Sequence, residues 1–461
     1  MMGRGGRKAD LPLEYSLLLT ATLCLVAFGA IMVFSASSTT QILGGDGDGA
    51  YYFKRTVMVA IAGLVLMRIL SIRGTAAIRA LTPLLMLGAV FLLVVVLIPG
   101  VGTSANGSTR WVGGGMFQVQ PSELAKLALI LYGARLLAAK PKMVRDIQSM
   151  LPFLLVVATC CVLIVVEPDL GTTMVTCFAV GAMLVASGAK MRHLVLIAVC
   201  LAVIALIIAL AQPYMRDRLF GFLNPGADAG GTGFQAAQAK IALGSGGLFG
   251  VGLGQGVQKA FYLPEAHTDM IAAVIGEEVG LMGITVLIGL FSMYGYAGLR
   301  TAQRARDRYE KLLVAGLTAL VLSQATINLF AVMGMAPITG VPLPFISYGN
   351  SSLLVMLAAS GIILNVARRQ PATRRAPQPT SRSRSKARSS PARKPRRARV
   401  GRPAGATALV AGAAGAKLQL IHGGQATQRS ARGKGRHSSG GHGGAHSARD
   451  RDRRRAARAA R

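Results

Sequence analysis

Residues 262–280 read YLPEAHTDMIAAVIGEEVG, with Asp269, Glu277 and Glu278 inside an otherwise apolar stretch. Ionised acids in hydrocarbon cost about 2.5 kcal/mol or more each at mid-bilayer, so they need partners, water or a chemical task. Asp269 follows the polar run Pro264, Glu265, Ala266, His267 and Thr268 and stands at the mouth of the apolar segment. An acid there can take a proton from an attacking hydroxyl. It can also simply cap the helix and complement its dipole. Glu265 and His267 beside it favour a site. Glu277 is eight residues on, about 12 Å deeper on a neighbouring face, and Glu278 points roughly the other way. That pair is expected to hold helices or line a cavity rather than touch a reacting group.

Other charges extend the candidate set. Lys126 lies inside an apolar span in QPSELAKLALILY, three residues after Glu123. The two can pair on one helix face, with the lysine snorkelling outward. Alternatively Lys126 is a buried cation that attracts an anionic headgroup. Glu167 and Asp169 flank Pro168, forming either a tight turn or a carboxylate site for Mg²⁺ or Mn²⁺, to which Asp269 could also contribute. The glycine run GVGLGQG at residues 250–256 lacks the strand–turn–helix setting that a dinucleotide fingerprint needs. It reads as a flexible or closely packed loop, with Gln258 and Lys259 as candidate headgroup contacts. Ser347 and Ser351 in GVPLPFISYGNSS have no Ser-His-Asp partners and suit hydrogen bonding to a sugar or amide.

The elements that carry these residues follow from hydropathy. The chain has 461 residues, is 52% hydrophobic and has a formal charge of +33. Ten apolar runs are long enough to cross a bilayer: 15–34, 54–70, 81–98, 122–138, 150–166, 171–188, 194–211, 270–297, 312–335 and 351–367. The expected fold is therefore an all-α polytopic membrane protein of about ten helices. Residues 1–14 form a short N-terminal segment, 15–367 the membrane domain, and 212–267 a long loop between spans 7 and 8. With the N-terminus in the cytoplasm, 17 Lys and Arg of the membrane domain fall inside and seven outside, the bias that sets orientation. The C-terminus then also lies inside, and Asp269 and its neighbours lie outside.

Residues 368–461 hold 26 of the 51 Lys and Arg and only two Asp. This segment is rich in Arg, Ser, Gly and Ala and is expected to be disordered. It suits anionic lipid or a docking protein. It has no aromatic residue to stack on bases, which argues against nucleic acid. The five cysteines all sit in apolar runs, without metal-ligand spacing.

Four segments resemble the motifs of the SEDS (shape, elongation, division and sporulation) family, in family order. They are RWVGGGMFQVQPSELAKLALILY, EPDLGTTMV, YLPEAHTDMIAAVIGEEVG and PLPFISYGNSSLLVMLAASGIILN. The residues around His267 and Asp269 look more like the division (FtsW-like) type than the elongation type, and the basic tail resembles actinobacterial division members. Met270, Ala272, Ala273 and Asn350 depart from the usual pattern. The resemblance implies a cell-membrane peptidoglycan glycosyltransferase at the division septum. It would polymerise lipid II onto an undecaprenyl-linked glycan chain at the outer face. A single-span class B penicillin-binding transpeptidase and other divisome proteins would be its partners. It also implies Asp269 as the essential acid and Lys126 and Arg110 as substrate contacts. The rival class is a lipid II flippase, which intramembrane Lys126, Glu277 and Glu278 would suit; no inverted repeat is visible to support it.

Overall fold

The computed structural model describes residues 11–43, 48–105, 108–114, 118–223, 232–260 and 262–370. The expected disordered tail lies outside these residues from 371 onward. Thirteen α-helices carry the described chain: α1 (Leu13–Leu43), α2 (Tyr51–Ile72), α3 (Thr75–Val96), α4 (Pro121–Ala139), α5 (Ile147–Val166), α6 (Leu170–Ser187) and α7 (Met191–Ala211); then α8 (Pro213–Leu223), α9 (Thr232–Ser245), α10 (Ile271–Glu278), α11 (Gly280–Gln303), α12 (Arg308–Val332) and α13 (Asn350–Arg368). Nine of them are long and apolar enough to cross a membrane. α4 occupies the position of the expected fourth span. It has 19 residues but carries Glu123, Lys126 and Arg135, which lie on buried or half-buried faces.

Local signals place the helix ends. Pro121 opens α4, where a missing N–H costs nothing. Asp146, Asp169 and Asp307 cap α5, α6 and α12 by accepting from Ser149, Thr172 and Glu310 N–H groups. α12 and α13 form the centre of the bundle and are mostly buried. α13 packs along α2, α12 along α4 and α6, and α1 along α11. α7 buries none of its apolar window, as its almost purely aliphatic composition predicts for a lipid-facing helix.

Three features depart from the expected all-helical, ten-span layout. A two-stranded antiparallel hairpin, β1 (Gly102–Ala105) and β2 (Ser108–Val112), fills the segment between α3 and α4. The long 212–267 loop contains α8 and α9. The expected eighth span, 270–297, breaks into α10 and α11 at Val279 and Gly280, where Gly280 takes a left-handed φ of 74°. The break would leave helix-end amides and carbonyls unpaired inside the bundle. The glycine run supplies their partners. Val251 and Gly252 N–H groups donate to the Glu277 and Glu278 carbonyls at 2.9 and 3.0 Å. Leu281 and Met282 N–H groups donate to the Gly247 and Leu248 carbonyls at 3.0 and 3.1 Å. A Cβ at Gly250 would lie 2.1 Å from the Glu278 carbonyl oxygen, so only glycine permits this approach. The run is thus closely packed structure.

Candidate active site

Asp269 sits one residue before the N-cap of α10 and is 8% exposed. Its carbonyl accepts from Asn328 Nδ2 at 2.7 Å, and the same amide donates to the Val341 carbonyl at 2.8 Å. A single α12 side chain therefore fixes the acid relative to the segment between α12 and α13. Its carboxyl Oδ1 lies 3.3 Å from Thr268 Oγ1. Burial pushes the Asp269 carboxyl up to about 6; Glu265 pushes the same way, and Arg218 opposes both. An acid poised there is ionised at neutral pH yet a better proton acceptor than an ordinary carboxylate.

Glu265 is exposed, with φ at 56°, and its Oε2 accepts from Thr268 Oγ1 at 2.7 Å. His267 packs against Tyr52 in a tilted arrangement with ring centres 4.5 Å apart and lies 5.6 Å from the Tyr348 ring. Burial holds its imidazole below the ordinary histidine range, against the pull of Glu265. These aromatic faces and the acid together make a surface suited to a sugar.

Two guanidinium groups approach the same place. Arg218 on α8 donates to the Ile338 carbonyl at 3.0 Å. Arg110 on β2 donates through Nε to the Glu167 carbonyl at 3.2 Å and through Nη2 to the Pro168 carbonyl. A Cβ placed on Gly340 would be 3.6 Å from Arg218 Nη1 and 3.9 Å from Arg110 Nη1, so both flank one glycine. Lys240 on α9 lines a small cavity with Arg218, between α8, α9 and residues 334–338. Arg218 and Lys240 are absent from the sequence-based candidates, because nothing in their local spacing marks them.

Other candidates are placed differently. Lys126 is fully buried and does not snorkel; Nζ donates to Glu123 Oε1 and Gln324 Oε1, both at 2.7 Å. Lys259 is also sealed, with Nζ 2.6 Å from Glu278 Oε1 and 3.1 Å from Ser35 Oγ. Neither ammonium is exposed in this structure, so Lys126 does not snorkel and Lys259 is no open loop contact. Glu123, expected at the same surface, is buried at 1% exposure beside Lys126. Ser347 Oγ accepts from the Leu343 N–H at 2.7 Å, and Ser351 Oγ bridges the Gln120 N–H and the Gln118 carbonyl. Both hydroxyls hold backbone rather than open outward.

The carboxylates do not fit a divalent cation. Among the described residues no group of three or more His, Cys, Asp or Glu is placed to hold one. Asp169 is engaged as the α6 cap and by Gln120 Nε2 at 3.2 Å. Glu167 is fully buried with neither carboxyl oxygen hydrogen-bonded, and burial, aided by Asp169 and opposed by Arg110, pushes it up to about 8. Asp269, Glu167 and Asp169 thus form no shared cage.

Comparison with known proteins now bears on this geometry. The family described as cell cycle protein FtsW/RodA/SpoVE matches residues 15–372. The chain belongs to this family. It is 40% identical over 353 residues to stage V sporulation protein E of Bacillus subtilis, covering 76% of this chain and 96% of that one. It is 38% identical over 370 residues to the probable peptidoglycan glycosyltransferase FtsW of Mycobacterium tuberculosis, covering 78% and 68%. Among solved structures it resembles a chain from a peptidoglycan synthase complex that coordinates polymerisation and crosslinking, with a TM-score of 0.64 at 28% identity over 77% of this chain and 97% of that one. It also resembles the rod shape determining protein RodA of Thermus thermophilus, with a TM-score of 0.57 at 27% identity over 77% and 97%. The break at Gly280 and the arginines at Gly340 therefore belong to a member of this membrane family.

Proposed function

We propose that this protein is a peptidoglycan glycosyltransferase that polymerises lipid II at the outer face of the cell membrane. The observation that carries the reading is the juxtaposition of a buried, readily protonated acid, Asp269, with the guanidinium group of Arg218, which shares Gly340 with Arg110. Asp269 accepts the proton of an acceptor sugar hydroxyl as its oxygen attacks the anomeric carbon of the growing strand. The new C–O bond forms as the bond to undecaprenyl pyrophosphate breaks, so the anomeric centre inverts. The departing pyrophosphate takes the electron pair, and Arg110 and Arg218 stabilise its charge from preorganised positions. An apolar cavity of about 410 Å³ beside α10, lined by Ala272, Gly276, Ile284, Leu329 and Val332, suits an isoprenoid chain.

Relatives named FtsW and the basic tail support a role in septal wall synthesis with both termini cytoplasmic. The resemblance to a polymerising and crosslinking complex supports a single-span transpeptidase partner, with further division proteins or anionic lipid engaging the tail. The test is polymerisation of labelled lipid II in detergent, where transbilayer movement cannot be scored. Polymer from the wild type that disappears with Asp269→Asn supports the mechanism. Unchanged polymer from that variant sinks Asp269 as the base, and none from the wild type with its transpeptidase partner shifts weight to a flippase.

A further inference from the structure

The mechanism leaves a buried charged cluster beside α10 without a task. Lys259, Glu278 and Glu277 are 1%, 1% and 3% exposed, and Ser35 of α1 is 7% exposed. Lys259 Nζ lies 2.6 Å from Glu278 Oε1, Ser35 Oγ donates to Glu278 Oε2 at 2.6 Å, and Lys259 Nζ reaches Ser35 Oγ at 3.1 Å. Next to it, Glu277 Oε1 accepts the Val257 and Gln258 N–H groups at 2.8 and 3.1 Å.

We propose that Ser35, Lys259 and Glu278 are positioning residues. They form a clasp that fixes α10, and with it Asp269, against α1 and the segment leading into the acid. The inference rests on Asp269 as the proton acceptor. Lys259 and Glu278 are 19 residues apart, and α10 lies between them. Asp269 stands at one end of α10 and Glu278 at the other. The chain from Lys259 returns to Asp269 through short bonds: Leu263 N–H to the Gln258 carbonyl at 2.8 Å and Thr268 N–H to the Glu265 carbonyl at 3.1 Å. The clasp therefore closes a loop of chain that contains the acid, and Asn328 anchors Asp269 within that loop to α12.

A helix of eight residues has about two turns, so slipping by one residue shifts it 1.5 Å and turns it 100°. That would swing Asp269 away from a sugar hydroxyl. Backbone bonds at the break hold α10 and α11 to the glycine loop, and Ser35 links α10 to α1 through Glu278. A buried ion pair adds little stability over a well-packed apolar pair. Two charges and a hydroxyl converging here are thus better explained by a required geometry than by stability.

The test uses the full chain in detergent with labelled lipid II, comparing Lys259→Met/Glu278→Leu, Ser35→Ala and Asp269→Asn. Thermal unfolding is recorded with kcat and KM. The apolar double variant is expected to unfold at or above the wild-type temperature with kcat lower by about ten- to a hundredfold and KM little changed. A purely structural cluster would instead let the double variant recover stability and rate together, and that result overturns the proposal. Should the double variant fail to fold, Ser35→Ala decides. A severalfold loss of kcat at an unchanged unfolding temperature supports the clasp, and wild-type kcat overturns it. An active Asp269→Asn defeats the reading of the base. An inactive one beside clasp variants at full rate defeats only the clasp.

Discussion

Replacing Arg218 with Leu and Glu265 with Gln should move the acid limb of the polymerisation rate in opposite directions. Asp269 works as a base only when ionised, so the wild-type rate falls as pH drops through about 6. From that value the carboxyl is about nine-tenths ionised at pH 7 and about one-tenth at pH 5, so kcat/KM falls roughly tenfold between them. Arg218 favours the ionised form, so its loss raises the midpoint and the limb shifts toward neutral pH. Glu265 disfavours the ionised form, so Glu265→Gln lowers the midpoint; its amide oxygen still accepts from Thr268. Glu265 is exposed, so its effect is screened by salt and fades at high ionic strength. Arg218→Leu should also lower the plateau, because it removes a contact to the leaving pyrophosphate; midpoint and plateau are read separately. The assay is initial-rate polymerisation of labelled lipid II from pH 4.5 to 8 (~0.5-unit steps). A flat wild-type profile between pH 5 and 7, or a midpoint that falls in Arg218→Leu, refutes the reasoning.

Three further outcomes follow from the packing. Lys126→Met leaves Glu123 charged and buried, so unfolding should become easier by about 3–5 kcal/mol. Lys126→Met/Glu123→Leu should recover most of that loss in thermal melts. Gly250→Ala should lower the melting temperature, since φ is 77° and the new Cβ would meet the Glu278 carbonyl at 2.1 Å; Gly181→Ala, which meets nothing within 4 Å, is the control. Asn328→Leu removes the donor to the Asp269 and Val341 carbonyls, costing about 1–3 kcal/mol and lowering kcat. A melt and a rate measurement on the same preparation check it.

Hydropathy made the bundle legible because an apolar run of bilayer length has few alternatives. The same measure could not see that 270–297 breaks, because Val279 and Gly280 keep the run apolar while Gly280 turns the backbone left-handed. Only the docked glycine loop makes such a break tolerable, and its partners lie more than twenty residues away in sequence. Charges behave similarly. Depth along a span flagged Lys126, Glu277 and Glu278, and a place in the outer loop flagged Lys259, but neither chooses between an open headgroup site and a sealed pair. Partner geometry does, and Lys126 and Lys259 are sealed. Arg218 shows the converse: an ordinary arginine in a long loop becomes part of the site once α8 and residues 338–340 fold against Asp269. One signal was available in the span 312–335. Gln324 and Asn328 are four residues apart, on one helix face, and two amides so placed in an apolar helix need partners. Gln324 accepts from Lys126 and donates to the Pro342 carbonyl, while Asn328 holds the Asp269 and Val341 carbonyls. That face of α12 connects the buried Lys126 pair to the acid, so Lys126 can matter to catalysis through α12 without meeting the substrate.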